Sequence, residues 1–190
     1  MDWNLRYIEG DTPWDKGGAH PALDAAIARG ALSGRVLVPG CGTGHDVRVL
    51  ASRGLDVMGL DIAPLALEKA RAHAPAGGEQ YLSGDLFALS ADLANSFDGV
   101  FEHTCFCAID PARRAEYVSA VASALKPGGR LLAVFFLDPE NDGNGPPFGC
   151  ARDELDRLFA PRFRLIGERQ EIPTYAGREG LELLRLLELV

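Results

Sequence analysis

Residues 35–61, RVLVPGCGTGHDVRVLASRGLDVMGLD, restrict this chain to few folds. Arg35–Pro39 is a short apolar run rich in valine and leucine, as expected of a strand buried on both faces of a parallel sheet. Gly40, Gly42 and Gly44 then alternate. Lacking Cβ atoms, they permit positive φ and close approach of a ligand, so the strand can turn sharply into a helix whose free N–H groups face whatever sits above the sheet. Asp61 closes the next apolar run, about twenty residues beyond the first glycine, where a carboxylate accepts both hydrogen bonds of a ribose diol.

The dinucleotide fingerprint is G-x-G-x-x-G, and here the third glycine falls one residue early, with His45 in its place. That spacing disfavours a nicotinamide or flavin cofactor. It resembles the G-x-G-x-G turn after the first strand of class I methyltransferases, which use S-adenosylmethionine; there the turn packs against the amino-acid part of the cofactor. A glycine-rich βα turn without a ligand is the plainer alternative, and Asp61 favours the nucleoside.

A chain of 190 residues is one ordinary domain, long enough for a central sheet and two helical layers. With 19 Lys and Arg against 27 Asp and Glu, and no basic run, nucleic acid is excluded as the expected partner. The opening MDWNLRYIEGD has neither a basic nor an apolar signal region, and no stretch is long enough to span a bilayer, so no membrane association and a cytoplasmic location are expected. Cys41, Cys105, Cys107 and Cys150 form no C-x-x-C pair, so reduced thiols and no metal are expected.

Taken in order, residues 1–18 place Trp3, Tyr7 and Trp14 among glycines, prolines and acids. Such a segment must pack on something, either as a tack that holds the N-terminus or as a lid over the cofactor. Helices are predicted over 21–30, 45–53, 64–73, 111–125 and 151–159, the fourth capped by Asp110 and stopped by Lys126-Pro127-Gly128-Gly129. Strands are predicted over 79–83, 97–107, 130–137, 163–172 and 181–190. The third strand ends in Gly84-Asp85-Leu86; Asp85 either caps a turn or accepts from the adenine amine, and its place on the same sheet edge as Gly40 and Asp61 favours adenine. Glu102 and His103 emerge where parallel sheets bind ligands. Glu102 has an electrostatic or a structural hydrogen-bonding role, and His103 serves as cofactor wall or as base. Residues 139–150, rich in Pro, Gly and Asn, are the expected substrate-side loop.

These residues together resemble the thiopurine S-methyltransferase superfamily, and more narrowly its plant and bacterial thiol and halide methyltransferase branch. The likeness runs through G-D-T-P-W-D-K-G at 10–17, V-P-G-C-G-T-G-H-D at 38–46, G-L-D-I at 59–62, F-C-A-I-D-P at 106–111, L-K-P-G-G at 125–129 and G-P-P-F at 145–148. The resemblance implies that Trp3 and Trp14 cover the cofactor, that Gly40 and Asp61 hold its methionine and ribose parts, that Gly84 and Asp85 face adenine, and that His103 lines it. Cys41, Gly42, Ile62 and Leu86 belong to the same expected cofactor site.

The expectation is therefore a single-domain, Rossmann-like α/β methyltransferase whose doubly wound seven-stranded sheet has its last strand antiparallel. It would move a methyl group from S-adenosylmethionine, leaving S-adenosylhomocysteine, to a small-molecule acceptor. A thiol is foremost, with halide, thiocyanate or a chalcogen oxyanion such as tellurite as alternatives. The acceptor is expected to enter already ionised, with Glu102 and His103 the candidates if a base exists, in a dry pocket formed by Trp14, Phe136 and Phe148. A nicotinamide oxidoreductase and a cofactor-binding module without turnover are the rival classes.

Overall fold

A computed structural model describes residues 1–137 and 145–190. Its strands are β1 (Arg35–Pro39), β2 (Asp56–Asp61), β3 (Gln80–Ser83), β4 (Phe97–His103), β5 (Leu125–Phe136), β6 (Phe163–Arg169) and β7 (Glu182–Leu189). They form one seven-stranded sheet in the order β3-β2-β1-β4-β5-β7-β6. The first five strands are parallel, and β7 lies antiparallel between β5 and β6, as expected for the last strand.

Successive side chains of a strand point to opposite faces, so a strand covered on both sides must be apolar at every position. Here Leu37, Met58, Leu60, Val100 and Leu131 feed one core while Val36, Val38, Val57, Phe101 and Leu132 feed the other. The helices are α1 (Trp3–Glu9), α2 (Leu23–Ala28), α3 (His45–Ser52), α4 (Pro64–Arg71), α5 (Arg114–Ala124) and α6 (Arg152–Phe159). Leu23 of α2 and Val47 and Leu50 of α3 pack into the second core, and Tyr117 and Val121 of α5 with Leu155 and Phe159 of α6 into the first.

Besides β6, which stops at Arg169 short of its predicted end, and shifts of a few residues at helix ends, three stretches differ from their predicted form. β4 ends at His103 rather than at Cys107, because the N–H groups of Cys105 and Phe106 donate to the Glu102 carboxylate (3.0 and 2.7 Å) and the chain coils into a 3₁₀ turn over Phe106–Ala108. The Lys126–Gly129 stretch does not stand outside the sheet: Leu125 already pairs with Phe97, and the register resumes at Arg130 opposite Gly99 after an irregularity. Residues 3–9 form a helix. Asp2 caps it by accepting from the Leu5 N–H (3.0 Å), and Gly10 closes it at φ +72°.

That helix docks on α4. Tyr7 is buried with Ala63 and Ala66, Trp3 and Trp14 pack around them, and the Asn4 side chain accepts the Leu65 N–H at 2.9 Å. Ala63 has no side-chain acceptor to offer, so Asn4 supplies from outside the cap that α4 lacks. Residues 139–144 of the expected substrate-side loop lie outside the described residues. Among those described, no helix is long and apolar enough to cross a membrane.

Candidate active site

The glycine turn follows β1 with Gly40, Gly42 and Gly44 all in the left-handed region, at φ +59°, +54° and +77°. A Cβ at Gly44 would sit 2.6 Å from the Tyr81 hydroxyl oxygen, so any side chain there would displace the Tyr81 ring and strain the left-handed backbone. At Gly42 a Cβ would meet only the Tyr7 hydroxyl, at 3.0 Å, and the turn therefore presents bare backbone to the cleft above it. Asp61 braces the turn from β2. Its Oδ2 accepts the Gly42 N–H and its Oδ1 the Ala63 N–H, both at 2.8 Å. Burial raises the pKa of this carboxyl against the pull of the N–H groups of Ala63, Gly42 and Ile62. Each oxygen keeps a lone pair for a further donor.

The remaining expected cofactor residues lie along the same edge. Cys41 donates its N–H to the Leu60 carbonyl at 3.1 Å, Ile62 stands 56% exposed beyond β2, and the Gly84 N–H donates to the Asp61 carbonyl at 3.0 Å. Asp85 caps the 3₁₀ turn over Leu86–Ala88 by accepting from the Phe87 N–H at 2.9 Å, while Leu86 is buried in the core beneath. All four cysteines are free thiols. Burial holds Cys41 and Cys105 well above the usual thiol range and pushes Cys107 and Cys150 to about 12.

Across the turn lies the N-terminal segment. Asp15 accepts from the Thr43 hydroxyl (2.8 Å), from His45 Nε2 (3.1 Å) and from the Gly17 N–H (2.9 Å), clamping residues 15–17 onto the start of α3. Arg48 donates to His45 Nδ1 at 3.1 Å, so the ring proton stands on Nε2 and faces Asp15. Trp14 donates its indole N–H to the Tyr7 hydroxyl (3.2 Å) and lines the cleft. Trp3 supports it from behind, edge-on at 5.3 Å, and is not among the lining residues.

The opposite wall carries His103. Its Nδ1 lies 2.8 Å from Asp46 Oδ2, and Asp46 Oδ1 accepts the backbone N–H of His20 at 2.8 Å. His20 Nδ1 in turn accepts the Ala22 N–H (3.2 Å), which leaves its Nε2 to donate to Glu182 at 2.9 Å, and Thr174 also donates to Glu182. Tyr175 stacks on His103 with centroids 5.9 Å apart and donates to the Gly18 carbonyl at 2.8 Å. Burial alone would lower the His103 pKa, but Asp46 foremost, with Glu182 and Glu102, raises it above its ordinary value. Asp46 is held low for the reciprocal reason, against its own burial.

Glu102 lies wholly buried beneath this wall. Besides the two N–H groups that end β4, it accepts the Tyr117 hydroxyl. Burial, only partly offset by these donors, pushes its carboxyl up to about 7. The raised folded-state value means that the proton bound on folding favours the native state fully below the unfolded value near 4.5, an advantage lost as pH rises through 7. Relative to Glu102→Gln, the wild type is expected to gain about 3 kcal/mol of unfolding free energy between pH 8 and pH 5. Denaturation curves with a pH-independent difference would show that the carboxyl is ionised throughout.

The expected pocket of Trp14, Phe136 and Phe148 is not assembled around this cleft. Phe136 lies under the Arg178 guanidinium (4.4 Å to the ring centre), and Phe148 donates its N–H to the Cys107 carbonyl at 2.7 Å; neither lines the cleft. Asp15, His20, Asp46, Tyr175 and Glu182 were not singled out from sequence. Asp15 and Asp46 sit inside T-P-W-D and T-G-H-D, where an acid beside a glycine turn was a usable signal; Tyr175 and Glu182 carry none. A shallow depression along α5, between Phe87, Arg113 and Glu116, has no comparable convergence of polar groups.

A bare glycine turn, a braced carboxylate with acceptor capacity left, and an aromatic ring across from them fit an adenosyl group with an amino-acid tail. With the doubly wound sheet and its antiparallel β7, they define a Rossmann-like methyltransferase. A model of the family Thiopurine S-methyltransferase (TPMT) matches residues 1–175, and the chain belongs to that family. Its methyl donor is S-adenosylmethionine.

The chain is 35% identical over 188 residues to "Probable thiol methyltransferase 2" of Arabidopsis thaliana, covering 96% of this chain and 82% of that one. It is 34% identical to "Thiocyanate methyltransferase 1" of Brassica oleracea, with 96% and 82% covered. A solved structure described as "Conversion of a Disulfide Bond into a Thioacetal Group during Echinomycin Biosynthesis" is similar at TM-score 0.77 and 26% identity, over 93% of this chain and 85% of that one. The fold is shared by a Burkholderia thailandensis 1,6-didemethyltoxoflavin-N1-methyltransferase with bound S-adenosylhomocysteine, at TM-score 0.78 and 20% identity over 100% and 86%. The nicotinamide and binding-module alternatives are set aside.

Proposed function

We propose that this protein S-methylates a small thiol, with thiocyanate or a halide as acceptors of the same soft character. The observation that carries this reading is the cleft itself. Trp14, the Gly40–Gly42 backbone and the His103–Tyr175 pair face one another across it, bounding the acceptor by aromatic rings and one polarised imidazole. The names of the two plant relatives support the same acceptor class. When bound, S-adenosylmethionine supplies an electrophilic methyl whose sulfonium leaves as a neutral thioether. The chain's part is to bind, orient and exclude water: the glycine turn and Asp61 hold, Ile62, Gly84 and Asp85 face the nucleoside, and Trp14 covers. Free, unreactive thiols support action in the reducing cytoplasm.

Incubation with methyl-labelled S-adenosylmethionine and a panel of 2-mercaptoethanol, sulfide, thiocyanate, iodide and tellurite tests the assignment. Label is expected on the thiol, with kcat/KM at least about tenfold above tellurite; label on none of the five would sink it.

Residues 1–18 act in this reading as a lid, since Asp15 ties the segment to Thr43 of the glycine turn and to His45 beside it, and Trp14 lines the cleft. Hydrogen exchange should then show slower exchange over residues 1–17 on addition of S-adenosylhomocysteine. Equal protection with and without it would make the segment a passive tack.

A further inference from the structure

His103 is fixed at one nitrogen and open at the other. Nδ1 is engaged by Asp46 at 2.8 Å, and Asp46 is itself tied by the His20 N–H at 2.8 Å, so carboxylate and ring hold each other in place. A carboxylate at Nδ1 sets the proton there, and Nε2 is left with no hydrogen-bond partner among the described residues. Only 9% of the side chain is accessible, on the wall that looks toward Trp14 and Gly42. An imidazole oriented by a carboxylate, with its second nitrogen open to a substrate cleft, has the geometry of an oriented general base.

We propose that His103 Nε2, positioned by Asp46, is the acceptor-activating group: it removes the proton of a thiol and, once protonated, holds the resulting thiolate or a protonless anion. This rests on the acceptor class proposed above and replaces the expectation of an acceptor that enters already ionised without a base. In the proton step the S–H bond breaks, its electron pair stays on sulfur, and an N–H bond forms at Nε2. The imidazolium charge is shared with Asp46, and the proton leaves to solvent after the product departs. The groups that face the ring come from several elements. Asp46 of α3, Glu182 of β7 and Glu102 of β4 favour its protonated form, and His20 and Tyr175 flank it. Lys16 is the sole Lys or Arg among the described lining residues, with Asp15 beside it.

A thiol therefore needs His103 unprotonated in the free enzyme, whereas iodide and thiocyanate need it protonated. NMR of the imidazole in the free full-length protein gives its titration point; added thiocyanate should move that point upward and bind more weakly above it. In the wild type, kcat/KM for iodide should fall as pH rises through the same point, while kcat/KM for 2-mercaptoethanol should rise through it. His103→Gln should lose about a hundredfold on the thiol, and its iodide rate should become flat with pH at the level of the wild type's alkaline limb. Asp46→Asn, which presents an amide to Nδ1, should lose the thiol rate while the NMR spectrum still reports a folded ring.

A flat iodide profile, with a thiol rate that follows only the thiol's own ionisation, overturns the proposal. If no acceptor is methylated, the acceptor assignment fails, and the titration decides His103 alone: no response to thiocyanate overturns its role as well.

Discussion

Arg114→Met is expected to lower the unfolding free energy by about 3–5 kcal/mol. The Arg114 guanidinium, at the start of α5, is almost wholly buried and lies over the Phe106 ring at 4.9 Å. It pairs with Glu154 of α6 at 2.7 Å and donates to the carbonyls of Phe148 and Gly149, each at 3.0 Å. Methionine fills much of the same space, so the loss isolates the charge and its hydrogen bonds from the volume. What remains is a partly exposed Glu154 carboxylate without its partner and the Phe148 and Gly149 carbonyls without donors, and the expensive part is the unpaired backbone beneath α5 rather than the loss of the ion pair's attraction. Chemical denaturation measures it. A loss below about 1 kcal/mol would mean that water replaces the guanidinium at no cost, and that α6 and residues 148–149 are held by packing alone.

Asp61→Ala should weaken binding of S-adenosylhomocysteine ten- to a hundredfold, about 1.5–3 kcal/mol, as read by calorimetry. Two effects converge. A charge-assisted acceptor for the ribose is removed, and the N–H groups of Gly42 and Ala63 lose the carboxylate that fixes them at 2.8 Å. The second effect also costs stability, so affinity must be measured where unfolding curves show the variant folded. Unchanged affinity under those conditions would remove Asp61 from the cofactor site and leave it a brace for the turn.

The elements legible in the sequence were those whose cause is local. A strand covered on both faces must be a continuous apolar run, and three glycines in five residues admit little but a tight turn, so β1, the turn, α3 and β2 were readable together with Asp61. Helix α1 was not, because WNLRYIE is too short to hold a helix by itself and owes its form to docking on α4. The end of β4 was misplaced because residues 104–107 look like strand, and only the buried Glu102 carboxylate diverts their N–H groups. The His103 wall was the least readable. Its bonds join residues 57 positions apart (His103 to Asp46) and 162 apart (His20 to Glu182), and no window along the chain contains both partners.

That span of 162 positions makes the His20–Glu182 pair a late contact in chain order. Because β7 slots between β5 and β6 after β6 has been made, Glu182 reaches His20 only once residues up to 182 are present. The strand-turn-helix unit, by contrast, is built from contacts close in sequence. A polypeptide cut short before residue 182 would thus keep His20 without the carboxylate that its Nε2 engages, leaving the support behind the His103 wall incomplete.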